Sequence, residues 1–253
     1  MIDKADVRVR TALVLSAGGM FGAYQAGAWK ALEKTFTPDI VVGASVGALN
    51  GWLIASGCSG DELTERWLHH SAGNALRLFP QPGWRNGWFD PAPLRVQAEQ
   101  LIQEWRPKKE FGLVVVQIPR LRTVLVRYPD VTAAHLQATC SIPYFLPSVE
   151  IHGKRFVDGG FFEKLPIWAA AEMGATRIVA VDCLPSFGNW WLRAGIGVAK
   201  LIAPSRRLPP NLDITIVEPS ERMGTANDAV FWKKENVERW ARLGEKDALQ
   251  AGC

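Results

Sequence analysis

One stretch decides the fold, PDIVVGASVGALNG, which spans residues 38–51. Its apolar run Ile40–Val42 is typical of a short buried strand, and the small residues after Ser45 are compatible with a helix. A serine between Gly43 and Gly47 at such a junction matches the G-x-S-x-G pattern of a nucleophile elbow, a turn too tight for side chains at the glycines. Ser45 is therefore a candidate nucleophile. A five-residue pattern of this kind also arises by chance. The alternative is that the small residues only let a helix pack closely on the sheet.

A second glycine-rich turn precedes this stretch. Thr11–Leu15 predicts the first strand, Ala23–Leu32 predicts the first helix, and SAGGMFG lies between them at residues 16–22. Such a turn presents clustered backbone N–H groups to an anion, either a pyrophosphate or the oxyanion of an acyl-transfer intermediate. Dinucleotide sites carry an acidic residue at the end of the second strand, whereas Asp39 precedes that strand here. The sequence favours the oxyanion, with a purely structural turn as the alternative.

Composition is that of an ordinary globular protein. The chain has 253 residues, of which 48% are hydrophobic and 21% charged, and its net charge of +4 gives no argument for nucleic-acid binding. The four cysteines are far apart and have no histidine at metal-ligand spacing, so we expect reduced thiols, no metal and no cofactor in a cytoplasmic protein. We expect neither a signal peptide nor a membrane-spanning helix, because no apolar run is long enough.

Strands and helices alternate along the chain, which predicts an α/β fold. Further strands are expected at Leu113–Ile118, Arg122–Arg127, Arg177–Asp182 and Ile214–Pro219. Further helices are expected at Asp61–His70, Val131–Thr139, Pro166–Met173 and Thr225–Leu243, the last of them stopped by Gly244. We predict a three-layer α/β/α sandwich with a central, mostly parallel sheet. It forms a single domain over residues 1–253, with a core at about residues 11–185 and a C-terminal segment at 186–253.

Two irregular stretches have competing interpretations. Residues 58–105 combine prolines and glycines with four tryptophans, and they either cover a substrate cleft or pack over the edge of the sheet. Residues 187–210 carry Trp190 and Trp191 near three arginines and one lysine, which are Arg193, Lys200, Arg206 and Arg207. These aromatic side chains either contact a membrane surface or fill the core.

A third motif lies at residues 138–160, which begin ATCSIPYFLP and end in Asp158-Gly159-Gly160. A hairpin is predicted around His152–Gly153, and its second strand would deliver Asp158 to a tight turn. Asp-Gly-Gly alone usually marks nothing more than a turn.

Four blocks of the chain together resemble the patatin-like phospholipases, in order and in spacing. They span residues 13–182 and read LVLSAGGMFGAYQAGAWKAL, GASVGALNG, ATCSIPYFLPSVEIHGKRFVDGG and GATRIVAVD. The resemblance implies a serine acyl hydrolase that cleaves ester bonds of lipids through an acyl-enzyme. It implies that Ser45 is the nucleophile and that Asp158 is its only partner. It also implies an oxyanion hole formed by the backbone of Gly18, Gly19 and Met20, and elbow and turn glycines at Gly43, Gly47, Gly159 and Gly160.

The chain departs from the family pattern at three positions. Ala17 replaces a glycine, Phe21 stands where Arg or Lys is typical, and Glu163 stands where an amide is commoner. A thioesterase or an acyltransferase would use the same site with another acceptor. The change at Phe21 keeps open a non-catalytic lipid-binding protein on the same fold.

No histidine is marked by its spacing as a base. Ser45, Asp130 and His152 follow the chain order of an α/β-hydrolase triad. The elbow of that fold follows several strands, however, and the 44 residues before Ser45 hold at most two. The residues therefore agree with the dyad of Ser45 and Asp158 that the resemblance implies. The histidines are expected at the surface or in supporting positions; they are His69, His70, His135 and His152.

Overall fold

The computed structural model describes residues 9–69, 78–83, 87–160, 162–184 and 208–252. Its strands are β1 (Thr11–Leu15), β2 (Ile40–Ala44), β3 (Leu78–Gly83), β4 (Gly87–Phe89), β5 (Glu110–Ile118), β6 (Arg122–Arg127), β7 (Val149–Ile151), β8 (Lys154–Asp158), β9 (Arg177–Val181) and β10 (Asp213–Val217). Eight of them form the central sheet in the order β10-β9-β1-β2-β5-β8-β7, with β6 also paired to β5. The remaining two, β3 and β4, form a separate antiparallel hairpin.

The α-helices surround this sheet, and a short 3₁₀ turn at Gly19–Phe21 precedes the first of them. They are α1 (Gly22–Leu32), α2 (Val46–Ser56), α3 (Gly60–His69), α4 (Ala92–Glu104), α5 (Ala133–Thr139), α6 (Ile167–Glu172), α7 (Ala226–Val230) and α8 (Lys234–Gln250). Among the residues that the structure describes, no helix has the length and apolar character needed to cross a bilayer.

Side chains of the central strands alternate between two apolar layers, as the two-residue period of a strand requires. In β1, Leu13 and Leu15 belong to the larger core, which includes side chains of α1, α2 and α8. Ala12 and Val14 point the other way, into a smaller core formed with α6. Strands β10, β9, β1, β2 and β5 are mutually parallel. The structure thus confirms the predicted α/β sandwich with a mostly parallel sheet.

Strand β5 changes its partner halfway along one edge. Its residues 110–114 pair with β2, and its residues 115–118 pair with β8 in the antiparallel direction. Both regions overlap the residues that pair with β6, which must therefore occupy the opposite edge. Strands β2 and β8 consequently meet end to end beside β5, with Ala44 opposite Val114 and Asp158 opposite Val115. This arrangement brings together the chain segments that carry Ser45 and Asp158.

The prediction of one helix ending before Gly244 is wrong. Residues 226–250 form two helices, because the backbone of Phe231 is extended between α7 and α8. Gly244 is buried within α8, where a Cβ atom would lie 2.0 Å from the carbonyl oxygen of Tyr24. A Cβ atom at Gly27 of α1 would likewise lie only 1.8 Å from the carbonyl oxygen of Ala241. The glycine therefore allows two helices to cross closely and does not stop the second one.

Residues 58–105 are more regular than their sequence suggests. They contain α4 and the hairpin of β3 and β4, as well as the predicted helix α3. Pro91 and Pro93 lie at the start of α4, where a proline is compatible with a helix. Of the other irregular stretch, residues 187–207, which include Trp190 and Trp191, lie outside the described residues.

Candidate active site

Ser45 occupies a strained turn between β2 and α2. Its backbone angles are φ 54° and ψ −132°, a region that costs a residue with a side chain about 1–3 kcal/mol. A Cβ atom at Gly43 would lie 2.2 Å from the carbonyl oxygen of Gly47, and one at Gly47 would lie 2.5 Å from that of Leu15. Both neighbours of the turn must therefore be glycine. Ser45 itself is only 5% exposed, so a substrate can reach it only through the cavity described below.

Asp158 ends β8 and is also buried. Its Oδ1 accepts a hydrogen bond of 2.6 Å from the N–H of Gly160, which closes a tight turn. A Cβ atom at Gly159 would lie 2.2 Å from the carbonyl oxygen of Val114, and one at Gly160 would lie 2.1 Å from Cβ of Ala17. The turn after Asp158 thus packs directly on β5 and on the first glycine-rich turn.

The first glycine-rich turn is held between two distant parts of the chain. A Cβ atom at Gly18 would lie 2.4 Å from Sγ of Cys183, and one at Gly19 would lie 2.2 Å from the carbonyl oxygen of Ala229 in α7. Within the described residues, the N–H groups of Gly18 and Gly19 have no hydrogen-bond acceptor. Gly19, Met20 and Ser45 line one cavity. The arrangement suits the binding of an oxyanion formed beside Ser45.

Phe21 is fully buried in the core and does not face solvent. Its ring meets that of Trp240 in α8 edge to face, with centroids 4.9 Å apart. Phe21, where the resemblance leads one to expect Arg or Lys, therefore serves as a packing contact between the glycine-rich turn and the last helix.

A buried polar network ties the elbow helix to the glycine-rich turn. Asn50 of α2 donates to Oε1 of Gln25 over 2.9 Å and to the carbonyl oxygen of Gly22 over 3.0 Å. Gln25 in turn donates to the carbonyl oxygen of Ser16 over 2.7 Å, and Trp67 donates to Oδ1 of Asn50 over 3.1 Å. Sequence reasoning missed this network. Its signal was a single amide residue inside each of two largely apolar helices.

The thiol of Cys140 lies next to both candidate residues. Burial raises its pKa well above the usual range, and the nearby charge of Asp158 adds to that effect. A hydrogen bond with Ser45 acts in the opposite direction. The thiol therefore stays protonated at neutral pH and is a poor nucleophile, even though it lines the same cavity as Ser45.

An apolar cavity of about 270 Å³ opens beside Ser45. Most of its wall comes from α2, α3, α4 and the segment after Cys140, through Val46, Leu49, Leu53, Leu63, Trp67, Leu94, Leu101, Ile142 and Leu146. Helices α3 and α4, together with Phe89, thus form one side of the cavity. A smaller polar part contains Arg66 and Glu104, whose charged groups are 4.0 Å apart, with Gln97 and Gln100. Such a cavity accommodates a hydrocarbon chain.

The described histidines do not approach this cavity. His69 is exposed and pairs with Glu65 of its own helix. His152 is exposed at the hairpin turn, six residues from Asp158 along a strand that rises about 3.3 Å per residue. His135 is buried, and its Nδ1 accepts a hydrogen bond from the N–H of Thr132 in the capping box of α5. His70 lies outside the described residues.

Comparison with known proteins identifies the family. The family model for "Patatin-like phospholipase" matches residues 13–171, which is more than half of the chain. Patatin-like phospholipase domain-containing protein 7 of Rattus norvegicus is 25% identical over 204 residues, covering 72% of this chain and 15% of the relative. Lysophospholipase nte1 of Aspergillus terreus is 26% identical over 185 residues, covering 67% of this chain and 12% of the relative. The chain therefore spans about an eighth to a seventh of the length of these relatives.

The solved structure of VipD from Legionella pneumophila has the same fold. It aligns with a TM-score of 0.53 at 12% sequence identity, covering 96% of this chain and 66% of VipD. Family model, curated relatives and fold agree, and the chain belongs to the patatin-like phospholipase family.

Proposed function

We propose that this protein hydrolyses carboxylic ester bonds of lipids through an acyl-enzyme on Ser45. One observation carries the proposal: a serine held in a strained elbow lines an apolar cavity, on the edge of β5 where Asp158 also ends its strand. A strained backbone that is held by its surroundings is typical of functional sites.

In the acylation step, the Asp158 carboxylate accepts the proton of the Ser45 hydroxyl as Oγ attacks the ester carbonyl carbon. The carbonyl oxygen becomes an oxyanion, which the backbone N–H groups of Gly18, Gly19 and Met20 stabilise. When the intermediate collapses, the bond to the alcohol breaks. The alcohol leaves with the proton that Asp158 had accepted, and the acyl group stays on Ser45.

Deacylation repeats these steps with water in place of Ser45. Asp158 takes a proton from the water molecule, whose oxygen attacks the acyl carbon, and the same N–H groups hold the second oxyanion. Collapse of that intermediate returns the proton to Oγ of Ser45 and releases the fatty acid. A single carboxylate serves as base and then as acid in each half of the cycle.

The cavity accounts for a lipid substrate. Its wall is mostly aliphatic and aromatic, so each methylene group of an acyl chain buried there contributes about 0.8 kcal/mol. The polar side chains of Arg66, Gln97, Gln100 and Glu104 interrupt this wall. The substrate would place its ester at Ser45 and its hydrocarbon chain along α2 and α4.

We also propose that the rim of the cavity contacts a lipid surface, because exposed apolar side chains collect there. Trp88 is 54% exposed, Tyr144 69% and Phe231 50%. Trp88 and Phe89 both donate backbone hydrogen bonds to Phe145, whose ring stacks on that of Phe89. Phe231 directly follows Val230, which lines the cavity. A lipid that leaves a membrane through this rim would keep its chain in contact with apolar groups.

The test is hydrolysis of a panel that contains a phospholipid, a lysophospholipid, a nitrophenyl ester and an acyl-thioester, with products identified by mass spectrometry. We expect the wild-type protein to release fatty acid from the oxygen esters, and Ser45→Ala to release none. The variant should keep the melting temperature of the wild type. Equal release by a folded Ser45→Ala variant would overturn the proposal, and a preference for the thioester would assign the site to a thioesterase.

A further inference from the structure

Thr139, the last residue of α5, touches the candidate nucleophile through its hydroxyl group. The backbone N–H of Ser45 donates to Oγ1 of Thr139 over 2.9 Å, and that hydroxyl donates to the carbonyl oxygen of Val114 over 2.8 Å. The side chain is fully buried. Its direction is fixed, because the N–H group can only donate and the carbonyl oxygen can only accept. One hydroxyl therefore joins the elbow to the centre of β5.

The same short segment also holds the backbone of Asp158. The N–H of Asp158 donates to the carbonyl oxygen of Ser141 over 3.0 Å, only two residues beyond Thr139. Between them lies Cys140, whose thiol faces Ser45. The carbonyl oxygen of Val114, which accepts from Thr139, also lies against the Gly159 backbone. Residues 139–141 thus contact both halves of the candidate site.

The elbow needs an external support of this kind. Ser45 precedes the first turn of α2, so its N–H has no acceptor within the helix. Its backbone angles are also unfavourable for a residue with a side chain. Helix α5 provides a rigid support, because Leu136 and Ala138 are fully buried and a capping box fixes its first turn. The hydroxyl of Thr139 is the point at which this support meets the nucleophile.

We propose that Thr139 is a positioning residue, which orients Ser45 relative to Asp158 through the backbone of the elbow. This inference rests on the proposed hydrolytic function of the same site. Without the hydroxyl, the N–H of Ser45 and the carbonyl oxygen of Val114 lose their common partner. Oγ of Ser45 then samples orientations in which neither the base nor the oxyanion donors are aligned, and small misplacements of reacting atoms are costly to the rate.

Two variants separate positioning from packing. Thr139→Val keeps the volume and the branched shape but removes the hydroxyl, whereas Thr139→Ser keeps the hydroxyl and loses a buried methyl group. With a short nitrophenyl ester, we expect Thr139→Val to lower kcat about tenfold or more with little change in KM. We expect Thr139→Ser to keep kcat within about threefold of the wild type although its melting temperature falls. If Thr139 only filled space, kcat would fall more in Thr139→Ser than in Thr139→Val.

Hydrogen exchange of the Ser45 amide, followed by NMR of protein labelled with ¹⁵N-serine, provides a test that needs no turnover. Exchange should be faster than in the wild type in Thr139→Val and close to the wild type in Thr139→Ser. Equal kcat values, or equal exchange rates, for Thr139→Val and the wild type would overturn the inference. Failure of the wild type to hydrolyse any ester would overturn the proposed function instead, and the exchange rates would still decide whether Thr139 holds the elbow.

Discussion

Ala44 and Asp158 pair with consecutive residues on one edge of β5, Val114 and Val115. Strand β2 runs parallel to β5 and ends at this point, while β8 runs antiparallel and ends at the same point from the other side. Ser45 follows Ala44 directly. The change of partner along β5 therefore brings Ser45 and Asp158 together, although they are far apart in the chain.

The first prediction concerns the rim of the cavity. Replacing Trp88 by Ala and Tyr144 by Asn together should weaken sedimentation with anionic phospholipid vesicles about tenfold, because two exposed aromatic groups are removed from the contact. Asn tolerates the positive φ of 70° at position 144, so the backbone is not strained further. Hydrolysis of a water-soluble ester should not change.

A matched control for the rim is Leu249→Ala, which removes an equally exposed apolar side chain on α8. This variant should bind vesicles as the wild type does. If the double variant sedimented with vesicles as strongly as the wild-type protein, the rim would not contact lipid.

The second prediction concerns the crossing of α1 and α8. Gly244→Ala should lower the free energy of unfolding by about 1–3 kcal/mol, although alanine favours a helix, because the new methyl group would overlap the carbonyl oxygen of Tyr24. Leu249→Ala, at an exposed position of the same helix, should change it little. Urea unfolding of both variants provides the comparison, and a stabilised Gly244→Ala would contradict the tight crossing.

Much of the sheet could be predicted because buried strands leave short apolar runs. The runs at Ile40–Val42 and Arg177–Asp182 correspond to β2 and β9. Gly244 misled the prediction, since glycine serves both as a helix stop and as a contact in a close helix crossing. Only the position of Tyr24 in space distinguishes these roles. The break at Phe231 has no proline or glycine to mark it.

The sequence motifs predict the candidate catalytic residues, but they do not predict the residues that support them. The glycines around Ser45 mark it as a candidate nucleophile, whereas Asp158 is identified only by the resemblance of its motif to the family. Thr139 ends a helix and carries a common side chain, and nothing in its local sequence shows that Ser45 lies beside it. Asn50 and Gln25 are polar residues among apolar ones, a signal that indicates burial but does not identify a partner.

The third prediction concerns pH and His135. Burial lowers the pKa of this histidine, the nearby His152 lowers it further, and Asp130 opposes both. The unfolded chain therefore binds a proton near pH 6.5 that the folded protein does not yet bind, so the free energy of unfolding should fall as the pH drops below that value. Protonation would also remove the acceptor at Nδ1 that completes the capping box of α5.

His135→Gln keeps a side-chain acceptor for the capping box but does not titrate. Urea unfolding at pH 7.5 and 5.5 should show a smaller difference for this variant than for the wild type. Identical pH dependence of His135→Gln and the wild type would contradict the assigned role.

The fourth prediction concerns thiol reactivity. Burial raises the pKa of Cys58 and of Cys183 to about 12, and it raises that of Cys140 well above the usual range. These three thiols should react slowly with iodoacetamide at pH 8 in the folded protein and rapidly in urea. Peptide mapping by mass spectrometry follows each thiol separately. Alkylation of Cys140 in the folded protein at the rate of a free cysteine would contradict its assigned protonation beside Ser45.

The central claim is tested most directly by the site and rate of labelling with a fluorophosphonate probe, mapped by mass spectrometry. The account predicts that the probe labels Ser45 alone, and that Ser45→Ala is not labelled. Asp158→Asn should be labelled at least about a hundredfold more slowly, because the amide cannot accept the serine proton. His135→Gln should be labelled at the wild-type rate. Labelling of another serine, or wild-type labelling of a folded Asp158→Asn variant, would contradict the dyad.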